Sequence, residues 1–229
     1  MTTAIILAAG KGERMGGEEN KIFLPLGGKP ILYWSIKAFE DFPKVKHILI
    51  AAAEGEKVRI ARLVAESGFT KVKDIRIGGA TRAESVRACL SGIDKDSRIV
   101  MVHDGARPLV CQEDLTRIHD YVEESHQGAV LGIPLSDTLH QVKDNMNINN
   151  TVARSKCWRA QTPQVFPRGV LLGAYAAYDG MRTATDDASL VLAIGGQVRV
   201  LRGNRENIKI TDPIDLKLAE VIWKERQQS

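Results

Sequence analysis

Five cations stand near the ends of apolar runs: Arg14, Lys21, Arg107, Arg154 and Lys209, of which Arg14 and Arg107 lie within two residues of a glycine. A carboxylate, Asp104, precedes Gly105 in the same kind of place, and Ser85, Thr138 and Thr162 add hydroxyls. No Ser-His-Asp signature accompanies them, and no cysteine has a nearby sequence partner that would activate it. Cations, hydroxyls and bare backbone suit phosphate chemistry, in which positioning and charge neutralisation do most of the catalysis.

The first of these places is AIILAAGKGERMGGEENK, from Ala4 to Lys21. It is not a P-loop, because no Gly-Lys-Ser/Thr follows Gly10, Gly12, Gly16 or Gly17. It is not the dinucleotide fingerprint either, because Met15 stands where the third glycine belongs. A strand, a loop of free N–H groups and the cations Arg14 and Lys21 still favour a polyphosphate, the plain alternative being a solvated surface loop. Ala8, Ala9 and Gly10 are small enough for a flat base to lie against the main chain. Gly78-Gly79 followed by Ala80 offers a second close approach, with Ser85 in the first turn of the next helix, although Gly-Gly is also a common turn. Asp104 is placed for a ribose hydroxyl or Mg²⁺, or as a helix cap.

The elements that must carry these residues alternate. Strands are expected at 4–7, 45–51, 72–77, 98–102, 129–134, 198–201 and 207–210. Helices are expected at 30–42, 56–67, 82–93 and 112–126, after Thr185, and from Asp212-Pro213 onward. In the helix at 56–67, Val58, Ala61 and Val64 or Ala65 share one face, with Gly68 just past the end. In the last helix Ile214, Leu218, Val221 and Ile222 share one face. This alternation predicts an α/β, Rossmann-like, mainly parallel sheet with helices on both faces, in a single domain over 1–229. The pattern breaks at 136–162, where the turn-rich DNMNINN reads as the tip of a long, half-polar hairpin. Such an arm, at about 136–160, needs cover, and dimerisation would supply it.

Composition bounds the rest. With 229 residues, 44% hydrophobic and 26% charged, the chain is of the ordinary globular class. The net charge of +4 is dispersed among 28 acids, which suits small anionic substrates better than nucleic acid. Three scattered cysteines, Cys89, Cys111 and Cys157, point to a reducing cytosol. No apolar run approaches the roughly 20 residues of a membrane span. Because a strand follows the first residues directly, no targeting peptide is expected.

L-A-A-G-x-G-x-R-M, with a lysine seven residues beyond the arginine, resembles the sugar-nucleotide transferases. HDGARP, GGATRAESV, TVARSKCWRAQTPQVF, ATDDASL and NIKITDPIDLKLAE together resemble the 2-C-methyl-D-erythritol 4-phosphate cytidylyltransferase family, nearly end to end. The resemblance implies a CTP- and Mg²⁺-dependent, cytoplasmic, homodimeric enzyme of isoprenoid precursor biosynthesis. It would join CTP to methylerythritol 4-phosphate and release pyrophosphate. It assigns Ala8, Ala9, Gly10, Gly12, Gly79, Ala80, Ser85 and Asp104 to the nucleotide. Arg14, Lys21 and Lys209 become the catalytic cations, and Arg107, Thr138, Arg154 and Thr162 substrate contacts, with Thr138 and Arg154 reaching the partner's site. No metal ligand is assigned, because Mg²⁺ would ride mainly on the CTP phosphates. The family usually has proline before the loop lysine and glutamine after it. Asn20 and Ile22 stand there instead, so a looser loop is expected at 16–20. Ala80 also replaces a residue that is often acidic.

Two other readings remain. Ribitol 5-phosphate cytidylyltransferases share the fold, nucleotide and motifs, and TPQVF with the arm leans away from them. A non-catalytic nucleotide-binding regulator would bind CTP but release no pyrophosphate, and retention of Arg14, Lys21, Asp104 and Lys209 argues against it.

Overall fold

Strand β1 (Thr2–Ala8) is buried along nearly its whole length, and its alternate side chains face two cores. The computed structural model describes residues 1–10, 20–180 and 184–228. After β1 come a one-turn 3-10 helix (Lys21–Phe23) and the two-residue strands β2 (Pro25–Leu26) and β3 (Lys29–Pro30). Then follow α1 (Ile31–Glu40), β4 (Val45–Ala52), α2 (Lys57–Glu66), β5 (Val72–Ile77), α3 (Arg82–Leu90) and β6 (Ile99–Asp104). The second half contains α4 (Gln112–Ser125), β7 (Gly128–Pro134), β8 (Leu139–Val142), β9 (Ile148–Val152) and β10 (Trp158–Pro167). It ends with α5 (Arg168–Ala177), α6 (Asp187–Ala193), β11 (Val198–Arg202) and α7 (Pro213–Gln228).

Seven strands form one sheet in the order β11-β7-β10-β6-β1-β4-β5. All pairs are parallel except those of β10, which runs antiparallel to both β6 and β7. Ala4, Ile6 and Ala8 of β1 pack with α1, α2 and α4, whereas Ile5 packs with α3, α5 and α6. The sheet is therefore covered on both faces. From β1 the chain first builds outward through β4 and β5, then returns to place β6 on the other side of β1. That reversal opens a crevice at the carboxyl end of β1, where ligands bind in open α/β sheets.

Several expectations change. Residues 207–210 are not a strand; they cross the strand ends, held by Ile210 N–H donating to Ala106 O at 2.9 Å. The hairpin strands β8 and β9 end at Val152, and Trp158 onward belongs to the main sheet. Helix α5 is additional to the expected elements, and the helix expected after Thr185 starts at Asp187, with Asp186 as its cap. In α2 the inward residues are Ile60, Leu63 and Val64, while Val58 and Ala61 face solvent. Gly68, at φ 67°, does end that helix, in the left-handed conformation that glycine adopts without strain. In α7 the buried residues are Ala219 and Ile222, joined by Leu216 and Trp223 against Leu26, Ile31 and Ile210. Ile214, Leu218 and Val221 are exposed, because that small third core approaches the helix from the other side.

Candidate active site

A cavity of about 540 Å³ occupies this crevice. Its floor is the end of β1, with Leu7, Ala8, Ala9 and Gly10. The turn after β5 supplies Gly79, Ala80, Thr81, Arg82 and Ser85, and β6 supplies Asp104 and Ala106. Lys21 and Ile22 from one further segment and Lys209 from another complete the lining.

The β5–α3 turn is shaped by local chemistry. Thr81 and Glu84 form a reciprocal cap at the start of α3. The Ser85 hydroxyl accepts the Gly79 N–H at 3.2 Å and donates to Thr81 O at 3.0 Å, so it braces the turn. A side chain at Gly78 would meet Ala9 Cβ at 2.5 Å and Ser85 Oγ at 2.7 Å, so only glycine lets the turn lie against the end of β1.

Asp104 is the electrostatic centre. Lys209 Nζ lies 2.9 Å from its Oδ2, and the Nε atoms of Arg107 and Arg82 lie 3.6 Å from Oδ2 and Oδ1. Burial alone would raise this carboxyl, but Lys209, Arg82 and Arg107 outweigh it and hold it far below the usual carboxylate range. Arg82 also reaches Asp187, Nη2 to Oδ2 at 2.7 Å, and Tyr175 donates to the other Asp187 oxygen at 2.6 Å. Burial works against the Arg82 charge, yet Asp187 and Asp104 more than offset it. Gln164 of β10 sets Asp187 in place, its Oε1 accepting the N–H groups of Asp187 and Ala188.

Behind Asp104 lies a buried polar chain. The Thr162 hydroxyl accepts the Asp104 N–H at 3.0 Å and lies 3.1 Å from His103 Nδ1; because His103 Nε2 faces the Arg107 carbonyl, which only accepts, Nδ1 of the neutral ring is left to accept the Thr162 proton. The imidazole then carries its proton on Nε2, which donates to Arg107 O at 3.0 Å. Burial draws His103 down to about 4, which keeps it neutral. Arg107 does not line the cavity; its Nη1 donates to Asn207 O at 2.8 Å. The Asn207 amide in turn donates to Thr162 O at 2.8 Å, and this brace carries the segment that presents Lys209.

Of the residues singled out in the sequence, Ala8, Ala9, Gly10, Lys21, Gly79, Ala80, Ser85, Asp104 and Lys209 are brought together. Arg107 and Thr162 stand behind them. Thr138 and Arg154 lie exposed near the hairpin and do not line the cavity, Arg154 Nη1 donating to Ser136 O at 2.7 Å. Gly12 and Arg14 lie outside the described residues. Sequence reasoning missed Arg82, Asp187 and His103. Arg82 did leave a signal: a cation in the first turn of a helix opposes the dipole and calls for a tertiary partner.

Asp104 is the only carboxylate among the described residues lining the cavity, and cations engage both its oxygens. The described lining therefore offers no protein ligand set for Mg²⁺. His119, Asp120 and Glu123 of α4 do cluster within 4.8 Å, but His119 bonds Thr2 at the opposite end of β1 and Lys44 lies 3.5 Å from Glu123. Among the described residues no helix is long and apolar enough to cross a membrane.

The family model described as 2-C-methyl-D-erythritol 4-phosphate cytidylyltransferase matches residues 2–225. The curated protein of that name from Alkaliphilus metalliredigens is 39% identical over 228 residues, covering 98% of this chain and 94% of its own. The one from Symbiobacterium thermophilum is 43% identical over 225 residues, covering 97% and 93%. The crystal structure of 2-C-methyl-D-erythritol 4-phosphate cytidylyltransferase from Thermus thermophilus superposes with a TM-score of 0.79 at 32% identity, covering 98% of this chain and all of that one.

Proposed function

Because the chain belongs to the 2-C-methyl-D-erythritol 4-phosphate cytidylyltransferase family, we propose that its cavity holds CTP and the phosphate of methylerythritol 4-phosphate for cytidylyl transfer. The observation that carries this reading is the cavity itself, with small residues and open backbone on its floor and Lys21, Arg82 and Lys209 around Asp104. Cytosine and ribose lie against Ala8–Gly10 and the Gly79–Ser85 turn. Lys21, together with Arg14, meets the triphosphate. Lys209, whose side chain is 40% exposed, grips the substrate phosphate.

A phosphate oxygen of the substrate attacks the α-phosphorus of CTP, the bond to the β-phosphate oxygen breaks, and pyrophosphate leaves. The nucleophile is already anionic, so no general base is required. The obstacle is like charge: at 4 Å two unit charges repel by about 4 kcal/mol at an effective dielectric near 20. The cations offset that repulsion and stabilise charge building at the α-phosphate. Mg²⁺ carried on the triphosphate would supply further charge neutralisation, with no ligand from the described lining required. Arg107 and Thr162 act through Asp104 and Asn207 rather than on the substrate. We place the enzyme in the cytosol, in keeping with its three unpaired cysteines.

The test is pyrophosphate release with Mg²⁺ and CTP, comparing methylerythritol 4-phosphate with ribitol 5-phosphate, with ATP and UTP as controls. Release with CTP and methylerythritol 4-phosphate alone is expected. Lys21→Ala and Arg14→Ala should then each lower kcat about 10²- to 10³-fold while leaving Tm almost unchanged. Release with ribitol 5-phosphate alone would keep the mechanism and change the substrate; no release would favour a nucleotide-binding regulator.

A further inference from the structure

Asn20 joins the chain just after β1 to the 3-10 turn that carries Lys21. Its side-chain amide donates to Gly10 O at 2.8 Å and to Glu56 Oε2 at 3.0 Å. Its Oδ1 accepts the Ile22 N–H at 3.3 Å, and its main-chain carbonyl accepts the Phe23 N–H at 3.0 Å. Asn20 is 8% exposed, so these bonds are shielded from water. The looser loop expected at 16–20 falls, apart from Asn20, outside the described residues. At Asn20 itself an amide uses both of its donor protons to join the end of β1, the β4–α2 turn and the 3-10 turn that carries Lys21. Both Gly10 and Lys21 line the cavity.

We propose that Asn20 is a positioning residue, a latch that fixes Lys21 against the Gly10 backbone by holding Gly10 O and Glu56 at once. This rests on the reading of Lys21 as a cation that acts on the triphosphate. Only an amide satisfies the site. Aspartate, of the same shape, would turn an acceptor toward two acceptors, the Gly10 carbonyl and the Glu56 carboxylate. The charged groups around the junction are Glu56, Arg59 one turn on in α2, Lys21 itself, and Asp215 of α7, which feels the Lys21 charge. Arg59 stacks its guanidinium 3.8 Å over the Phe23 ring, on the same 3-10 turn. In Asn20→Asp the introduced carboxyl and Glu56 would share one cleft, and the pair would take up a proton well above the usual carboxylate range.

The experiment compares the wild type, Asn20→Ala, Asn20→Asp and the double variant Asn20→Asp/Glu56→Gln in pyrophosphate release across pH, each divided by the wild-type rate at the same pH. Asn20→Ala should lose about 10- to 100-fold in kcat at every pH, with KM for CTP changed less than about threefold. Asn20→Asp should lose as much at pH 8 and recover in part as the pH falls toward about 5.5, because one shared proton restores one of the two donors. The double variant should regain part of the activity and lose the pH dependence, since the amide introduced by Glu56→Gln donates to the carboxylate introduced by Asn20→Asp, with the polarity of the bond reversed. Wild-type kcat in the single variants would overturn the latch. So would a loss that is flat with pH and indifferent to Glu56→Gln, or one that merely follows Tm. If the wild type itself releases no pyrophosphate, the function proposed above fails, and hydrogen exchange of the 20–24 segment judges the latch. Exchange should be faster in Asn20→Asp at pH 8 and return toward wild type at lower pH; unchanged exchange would overturn the proposal.

Discussion

At the residue scale, the neutral state of His103 has a consequence for stability. Its pKa in the folded chain is about 4, against about 6.5 when unfolded. Between those values the unfolded chain binds the extra proton, so stability falls as pH drops from about 6.5 to 4, by roughly 3 kcal/mol. Asp104, held well below its usual range, adds to acid lability at still lower pH. Urea unfolding of the wild type at pH 7.5 and 4.5 should show this loss, and His103→Gln should show distinctly less of it. Equal slopes in the two proteins would assign the acid lability to other groups. The same chain of bonds sets the Asp104 backbone, so the residue that does not touch the cavity helps to fix the one that does.

At the scale of elements, the segment after β11 depends on a brace rather than on a ladder. Asn207 is fully buried, and it links Thr162 O to the guanidinium of Arg107. Gln161 adds a further bond to Asn207 O at 3.2 Å. Asn207→Ala would leave Thr162 O without its donor and loosen Lys209. A stability loss of about 1–3 kcal/mol is expected from the unsatisfied carbonyl. Enzyme that remains folded should show a raised KM for the phosphate substrate and little change in KM for CTP. An equal rise for both substrates would mean that the brace serves the whole cavity and not Lys209 in particular. Helix α6 is a second such case: Gln164 of β10 holds its first N–H groups, and through Asp187 the helix reaches Arg82.

At the scale of the whole molecule, the hairpin leaves Val142, Met146 and Ile148 exposed, with Trp158 at its base. Cover by a second copy, bringing Thr138 and Arg154 to the neighbouring cavity, is what the family resemblance implies for these residues, and we propose it here. It predicts complementation. Lys21→Ala and Arg154→Ala homodimers should each be nearly inactive. Mixed after partial unfolding and refolding, they should recover about a quarter of wild-type activity, because half the dimers are hybrids and each hybrid has one intact site. No recovery, with hybrids demonstrated by mass spectrometry, would place Arg154 in its own chain's site or outside the chemistry.

Much of this site could be read in the sequence because it is local. Ala8–Gly10, Gly79–Ala80 and Asp104 fall at strand ends, and strand ends follow from alternating apolar runs and glycine punctuation. The family motifs carried Lys21 and Lys209 for the same reason, as short contiguous stretches. The parts that were not legible depend on which distant segments meet. Nothing near Arg82 in the chain announces Asp187, and Asn20 looks like a loop residue until Gly10 and Glu56 close around it. The last helix makes the same point. Periodicity identified an amphipathic helix from Asp212 onward, but several faces carried apolar residues, and only the position of the small core built on Leu26, Ile31 and Ile210 decided that Ala219 and Ile222 turn inward. The sequence alone thus determined the alternation of elements, and it pointed to phosphate-directed chemistry at the candidate site. Tertiary packing decided which polar groups satisfy one another once water is excluded, because a buried donor takes whatever acceptor the fold brings to it.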